Sequence, residues 1–209
     1  MEQALQWWYR RQSNQMDFLA EKIRDGLLQE SFTVRRSLEL SLLGREKISD
    51  NTYEDWLSKW ENFHHSLVQL SDRLSPPYLE EGLPLAIQYL LELWQKKNER
   101  IEFAVKSPLT WYSRSLERER LILTILDELL SITISELITP ISIQVVLTRQ
   151  EYLNDLMVEI TYPNEVRLLE TLNLEELENL RQTFQLLTSG QYFCQHQELT
   201  ITWHLCWRN

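Results

Sequence analysis

Six apolar residues between positions 56 and 74 constrain the fold more than anything else in the chain. Trp56, Trp60, Phe63, Leu67, Leu70 and Leu74 are spaced four, three, four, three and four apart. That is the rhythm of helices packed side by side, and it predicts a helix from about Tyr53 to Leu74. From Met16 onward, Ala20, Ile23, Leu27, Val34 and Leu38 share one face at about 100° per residue, which predicts an earlier long helix. Gly44 and the polar run Ser49-Asp50-Asn51-Thr52 predict the turn between them, with Asn51 or Thr52 as N-cap. Two helices enclose no core alone. Pairing with a second copy as a four-helix bundle solves this, so a homodimer is expected.

Ser75-Pro76-Pro77 must end the second helix, because proline lacks an amide proton and clashes with the turn before it. The domain boundary is placed there: a helical hairpin over 1–77 and a second domain over 78–209. In the second domain, Gly82 and Pro84 open a helix carrying Leu83, Ile87, Leu90, Leu91 and Trp94. Ile101 to Val105 alternate as a strand, and Thr110 to Tyr112 begin another. Leu116 to Leu137 is a strongly apolar helix. Ile141 to Leu147 and Leu156 to Tyr162 alternate as strands, joined through Glu151 to Asp155. A helix is expected from Leu174 to Leu187, stopped by Ser189-Gly190. The end forms a hairpin, Tyr192 to Cys194 and Leu199 to Trp207, turning around His196-Gln197. The expected class is α+β, with helices on one face of a mixed sheet.

Composition narrows the function. Hydrophobic residues make up 43% and charged residues 25% of the 209, which predicts a folded core rather than disorder. The formal net charge of -10 argues against a nucleic-acid partner, whose phosphates it would repel. Eight Trp and eight Tyr predict well-filled cores or partner surfaces. Cys194 and Cys206 lack the number and spacing of a disulfide framework or metal site. If their strands pair they are potential neighbours; buried free thiols are the other reading. No apolar run is long enough for a bilayer and no signal-peptide pattern is present, so a soluble cytoplasmic protein is expected.

Two short stretches carry a resemblance. Ile23-Arg24-Asp25-Gly26-Leu27-Leu28-Gln29 resembles the H-box of sensor histidine kinases that partner LuxR/NarL-type response regulators. Leu74-Ser75-Pro76-Pro77-Tyr78-Leu79-Glu80-Glu81-Gly82-Leu83 resembles the junction between the dimerising helix and the ATP-binding domain in that family. The order of elements that follows is similar to a Bergerat (GHKL) ATPase domain. The resemblance implies an N-terminal hairpin dimerising as a four-helix bundle, then a Bergerat-like α/β sandwich domain, in two-component signalling.

The chain departs from that family at four points. Arg24 stands where the resemblance implies a phosphoaccepting histidine, and a guanidinium is always protonated and no nucleophile. Ile132 stands at the implied magnesium-holding Asn. Tyr162, followed by Pro163, stands where an adenine-binding Asp and a glycine are implied. Leucines and glutamates fill Leu168 to Leu180, where a glycine-rich lid is implied, although phosphates need open backbone amides, cations or a metal ligand. A pseudokinase with no cofactor is therefore expected.

Asp25 and Gln29 match the family's Asp-x-x-x-Gln motif, in which the Gln is implied to orient water against the regulator's phosphoaspartate. They are one helical turn apart, on the side away from Ile23 and Leu27, so they are expected to face solvent. An amide can orient water without changing its own protonation. Arg24 and Arg36 are the expected partner-binding residues, since Arg pairs readily with carboxylate or phosphate. An ordinary polar helix face would show the same residues.

Other candidates carry less. His64 and His65 are a conceivable relocated phosphoacceptor, one flanking the apolar seam and one facing solvent. His196 and His204 lie in the terminal hairpin, apart from any ligand cluster, so no metal site is expected. Glu39, Glu46 and Glu117 to Arg120 pattern as solvated faces. Trp7, Trp8 and Tyr9 form either a partner patch or a helix start packed on the bundle. The leading reading is a non-catalytic histidine-kinase-like regulator that homodimerises and binds a response-regulator receiver or a partner kinase. The alternatives are a response-regulator phosphatase using Asp25 and Gln29, and a phosphotransferase using His64 or His65.

Overall fold

The proline pair after Leu74 marks the main division of the chain. The structure, a computed structural model, describes residues 2–43, 50–98, 100–111, 115–134, 141–150 and 152–208. These fold into two compact units, Tyr9–Pro76 and Pro77–Asn209, the latter joined by Met1–Trp8. Gly44, Glu46, Ser49, Tyr112, Glu151 and the last residues of the predicted apolar helix, 135–137, lie outside the described residues.

In the first unit, α1 (Glu2–Glu21) passes into a π-helical segment (Lys22–Leu27), which continues as α2 (Leu28–Leu43). The N–H of Leu28 donates to Ile23 O, five residues back. That single wide turn breaks the predicted apolar face. An extra residue in one turn rotates everything after it by about 100°. Leu27 is buried and Val34 half-buried, while Ala20, Ile23 and Leu38 are exposed.

Helix α3 (Asp50–Leu74) begins earlier than predicted, so Asn51 and Thr52 lie within its first turn and not at its cap. Its seam divides into two sets. Trp56, Phe63 and Leu70 are half-buried, whereas Trp60, Leu67 and Leu74 are 56%, 46% and 50% exposed. Each set recurs every seventh residue, so one chain covers half of the seam and leaves the other half open. The helix stops at Leu74, with Ser75 N–H bonded back to Ser71 O at 2.8 Å.

The second unit contains α4 (Leu83–Lys97), β1 (Ile101–Lys106), α5 (Leu116–Ile134), β2 (Ile141–Gln150), β3 (Leu153–Thr161), α6 (Glu165–Leu172), α7 (Glu175–Thr188), β4 (Gln191–Gln197) and β5 (Thr200–Arg208). The sheet order is β1-β2-β3-β5-β4. β1 and β2 are parallel, as a crossover through α5 allows, and the remaining neighbours are antiparallel. Alternation places Ile143, Val145, Leu156, Val158, Ile160, Ile201, Trp203 and Leu205 on the inner face. There they share one core with Ile87 and Leu91 of α4, Ile122, Ile125, Leu126 and Leu129 of α5, and Leu180 and Phe184 of α7. The opposite face carries Gln144, Asp155, Glu159, Thr202 and His204. The unit is α+β, with its helices packed on one side of a mixed sheet.

Several local expectations change. Thr110 and Trp111 belong to no strand. The β2–β3 hairpin is tighter than predicted, since β2 runs on to Gln150 and β3 starts at Leu153. The terminal hairpin turns at Glu198-Leu199, where Glu198 has φ 51°, and not at His196-Gln197. Helix α6 (Glu165–Leu172) is not among the predicted elements. It starts at Asn164, whose side-chain oxygen accepts from Arg167 N at 3.0 Å, a standard N-cap bond. Trp7 and Trp8 pack against the core of the sheet unit.

Candidate functional site

The helical unit holds Ile23–Gln29, the stretch whose sequence resembles an H-box. The Ile23–Gln29 stretch coincides with the π turn, whose defining bond joins Ile23 to Leu28. Such a turn gives up good backbone geometry, and π turns inside α-helices concentrate at functional sites. Gly26 lies within it, and a Cβ there would meet nothing within 4 Å. Arg24, Asp25 and Gln29 are all exposed. Among the described residues their side chains have no hydrogen-bond or ion-pair partner. The backbone oxygen of Gln29 accepts the Thr33 hydroxyl at 2.9 Å, and Thr33 O accepts that of Ser37. These bonds run along α2 and leave the Gln29 carboxamide unencumbered.

The next residue anchors this segment to α3. Glu30 Oε1 accepts from Ser66 Oγ at 3.4 Å. His65 precedes Ser66, so the His64-His65 pair lies level with the Gln29 turn. Both histidines are exposed. His65 Nε2 is 2.8 Å from Gln69 Nε2; with the amide donating, that ring nitrogen is the acceptor. Arg36 is 3.7 Å from Glu39, which Arg35 also binds at 2.8 Å. A partner carboxylate at Arg36 would compete with this exposed pairing, a weak one by its nature.

Elsewhere in the unit, Val34, Leu38, Trp56, Leu57 and Trp60 line an open cavity of about 190 Å³ between α2 and α3. It is smaller than the ~300–1,000 Å³ of ordinary ligand pockets. It is continuous with the uncovered half of the seam at Trp60.

The sheet unit holds Ile132 and Tyr162, the positions where the resemblance implies nucleotide-binding residues. Ile132 is buried in the last turn of α5, beside Thr133, whose hydroxyl bonds Leu129 O at 2.7 Å. Tyr162 follows β3 and is almost wholly buried; its N–H donates to Leu199 O at 2.8 Å. Among the described residues its hydroxyl has no hydrogen-bond partner. Thr171 is the hydroxyl beside it, and that proton goes to Arg167 O. Burial pushes the Tyr162 hydroxyl well above its ordinary range. The stretch matching a glycine-rich lid is instead α6 and the first turns of α7, with Leu168, Leu177 and Leu180 buried. Among the described residues, no group of three or more His, Cys, Asp or Glu is arranged so that it could hold a metal ion.

Sequence reasoning missed two polar clusters. On the open face of the sheet, Asp155 lies 3.1 Å from His204 Nδ1 and accepts from Cys206 Sγ at 3.3 Å, while Phe193 stacks on His204 at 4.6 Å. His204 is therefore not isolated. The spacing of His204 and Cys206 already put both on one face of a strand, but Asp155 enters only through the β3–β5 register. At the start of α5, buried Glu119 accepts from Trp111 Nε1 at 2.6 Å. The two cysteines lie on adjacent strands but out of register: Cys194 pairs with Trp203, and Cys206 with Gln191. Both are free, Cys194 exposed and Cys206 buried.

No family model matches the chain, and no curated protein does. Solved structures do. The catalytic domain of the histidine kinase ThkA matches with TM-score 0.44 and 14% identity, over 60% of this chain and 89% of that one. The Acinetobacter baumannii histidine kinase AdeS matches with TM-score 0.44 and 12% identity, over 90% of this chain and 97% of that one. ThkA in complex with the response regulator TrrA gives TM-score 0.48 and 12% identity, over 100% of this chain and 67% of that one. Identities of 11–14% are too low to carry any residue's role across. No helix among the described residues is long and apolar enough to cross a membrane.

Proposed function

We propose that this chain is a histidine-kinase-like regulator of two-component signalling that has lost kinase chemistry and docks a receiver domain, or a partner kinase, on its H-box-like segment. The observation that carries the reading is the coincidence at Ile23–Gln29. The stretch that resembles the H-box is the stretch that adopts a π turn, and it leaves Arg24, Asp25 and Gln29 exposed and unpartnered among the described residues. Loss of kinase activity is supported by Arg24, which has no nucleophilic form at neutral pH. It is supported again by the buried Ile132 and Tyr162 and the helices in place of a lid. Incubation with labelled ATP and magnesium is expected to leave the protein unlabelled; label on any residue would sink the reading. Docking is tested by titrating the chain with receiver domains from its own host. Arg24→Glu is expected to weaken the complex at least tenfold, and Arg36→Glu to a lesser degree.

Homodimerisation through a four-helix bundle belongs to the same proposal. It is supported by the uncovered set Trp60, Leu67 and Leu74, which repeats every seventh residue. A cytoplasmic location is proposed with it, as a chain meeting a receiver domain requires.

One observation favours a phosphatase as the second reading: the Gln29 carboxamide is exposed, with its backbone oxygen already engaged. Gln29→Ala should then slow dephosphorylation of a phosphorylated receiver while leaving docking intact. An unchanged rate would remove this reading and leave the docking module standing. Relay of phosphate through His64 or His65 remains a third reading. Acid-labile phosphate on either residue, after exposure to a phosphorylated receiver, is its test.

A further inference from the structure

The first eight residues group with the sheet unit, although Tyr9–Pro76 separates them from it in sequence. The contact is narrow and specific. Ala4 is fully buried and is the only buried residue of α1. Thr183 of α7, also fully buried, donates its hydroxyl to Ala4 O at 3.3 Å. Trp7 and Trp8 pack on the rim of the core, with ring centroids 6.2 Å apart. Glu2, Gln3, Leu5 and Gln6 face solvent. Docking residues at positions 4, 7 and 8 follow the i, i+3, i+4 pattern of an amphipathic helix laid into a groove. Alanine at the first of them lets the two backbones approach closely.

We propose that Glu2–Trp8 is a detachable strap, a helical ligand carried on the same chain and seated on α7. The site it fills accepts a helix bearing a small residue followed by aromatics three and four positions later. Separability follows from the make-up of the core. None of the fully buried side chains of the sheet unit's core cluster comes from the strap; Trp7 and Trp8 are only partly buried against it. The unit therefore keeps its core when the strap leaves, and α7 gains an open apolar flank around Thr183. The strap bonds α7 at Thr183, so its release uncovers that flank of the helix. The inference rests on contacts within the sheet unit and does not depend on any role for Gln29.

The test uses the full chain carrying Ala4→Arg, which places a long cation where there is no space, and a labelled peptide of residues 1–15. The expected result has three parts. The variant keeps its sheet signal in circular dichroism. Its amides in 175–188 exchange with deuterium at least tenfold faster than in the parent. The peptide binds the variant and restores slow exchange, while binding the parent at least tenfold more weakly. Unchanged exchange in 175–188 would overturn the proposal, as would equal peptide binding to both proteins. Loss of the sheet signal would overturn it too, since residues 2–8 would then be integral core and not a strap.

Discussion

The indole nitrogen of Trp111 donates to Glu119 Oε1 at 2.6 Å, and among the described residues the other oxygen of that buried carboxylate has no partner. The same ring faces Arg149, 5.8 Å from its centroid, and lies where a Cβ on Gly82 would touch it at 3.2 Å. One side chain thus joins the start of α4, the start of α5 and the end of β2. Trp111→Phe should cost about 1–3 kcal/mol, because it leaves a buried acceptor unsatisfied. In a chain of this size that is a fall of a few degrees in Tm. Adding Glu119→Leu should recover part of the loss, since removing both partners is cheaper than removing one. Thermal melts of the two single variants and the double variant check this; strictly additive losses would contradict it.

Two glycines should respond to alanine with opposite signs. Gly82 has φ 122° and ψ 156°, a region open to glycine alone, and Trp111 crowds the Cβ position. Gly82→Ala should destabilise by about 1–3 kcal/mol. Gly26 lies within the π turn with free space around it. Gly26→Ala should stabilise by about 0.5–1 kcal/mol, by reducing the freedom of the unfolded chain in a helical segment. Denaturant midpoints for the two variants decide the matter.

The pattern of legible and illegible features has a physical basis. Helix α3, its stop at the proline pair, the alternation of β2 and β3, and the run of α5 were legible because each is written in local periodicity or backbone restriction. The π turn was not. It adds one residue to a turn without any composition of its own, so Ile23 and Leu38 kept the look of a buried face although both are exposed. The strap was illegible for a different reason. Ala4 and Thr183 are 179 residues apart, and nothing in a WWY triplet says which surface it will meet. At the candidate site Asp25 and Gln29 are exposed as expected, but so is Ile23 on the side read as apolar, so helical phase is not what sets their exposure. The Asp155–His204–Cys206 cluster needed the register of two strands that are not neighbours in sequence.

The cysteines should differ in reactivity, and both should be slow. Burial pushes the Cys194 thiol up to about 11. Although the residue is exposed as a whole, it lies on the same face of β4 as buried Tyr192, which puts its sulfur toward the core side. Burial, then the hydrogen bond to Asp155 and that carboxylate's charge, push Cys206 up to about 12. Only the thiolate attacks a disulfide reagent, so at pH 8 both should label far more slowly than a free cysteine. Cys194 should react first and the buried Cys206 more slowly. Asp155→Asn should speed labelling of Cys206 by removing the adjacent negative charge. Labelling followed by peptide mass spectrometry gives each rate separately.

Glu178 adds a small acid-limb dependence. Hydrogen bonding from Arg181, at 2.6 Å, lowers its carboxyl to about 2 from 4.5. A depressed carboxylate stabilises the fold above its unfolded value and stops doing so as pH falls through its folded value. The parent's advantage over Glu178→Gln should therefore be full at pH 6, shrink below about pH 4.5 and vanish near pH 2. Both side chains are more than a third exposed, so solvent screens the pair and the Tm difference should be small even at its largest. Melts of the two proteins across pH 2–6 trace the curve.

The uncovered half of the α3 seam gives the clearest test of assembly. Trp60, Leu67 and Leu74 are exposed in the single chain, while Trp56, Phe63 and Leu70, the residues between them in the repeat, are half-buried. In a four-helix bundle, Leu67 of each copy would be buried. Burying one leucine side chain is worth about 1.5–3 kcal/mol, and a dimer buries two. Leu67→Glu should therefore weaken the dimer by two orders of magnitude or more, each 1.4 kcal/mol being about tenfold. The substituted position is solvent-facing in the single chain, so circular dichroism should change little. Sedimentation equilibrium of parent and variant reads the result directly. A parent that is monomeric at all concentrations would leave the exposed seam without a bundle to serve, and a variant that dimerises as tightly as the parent would place the interface elsewhere.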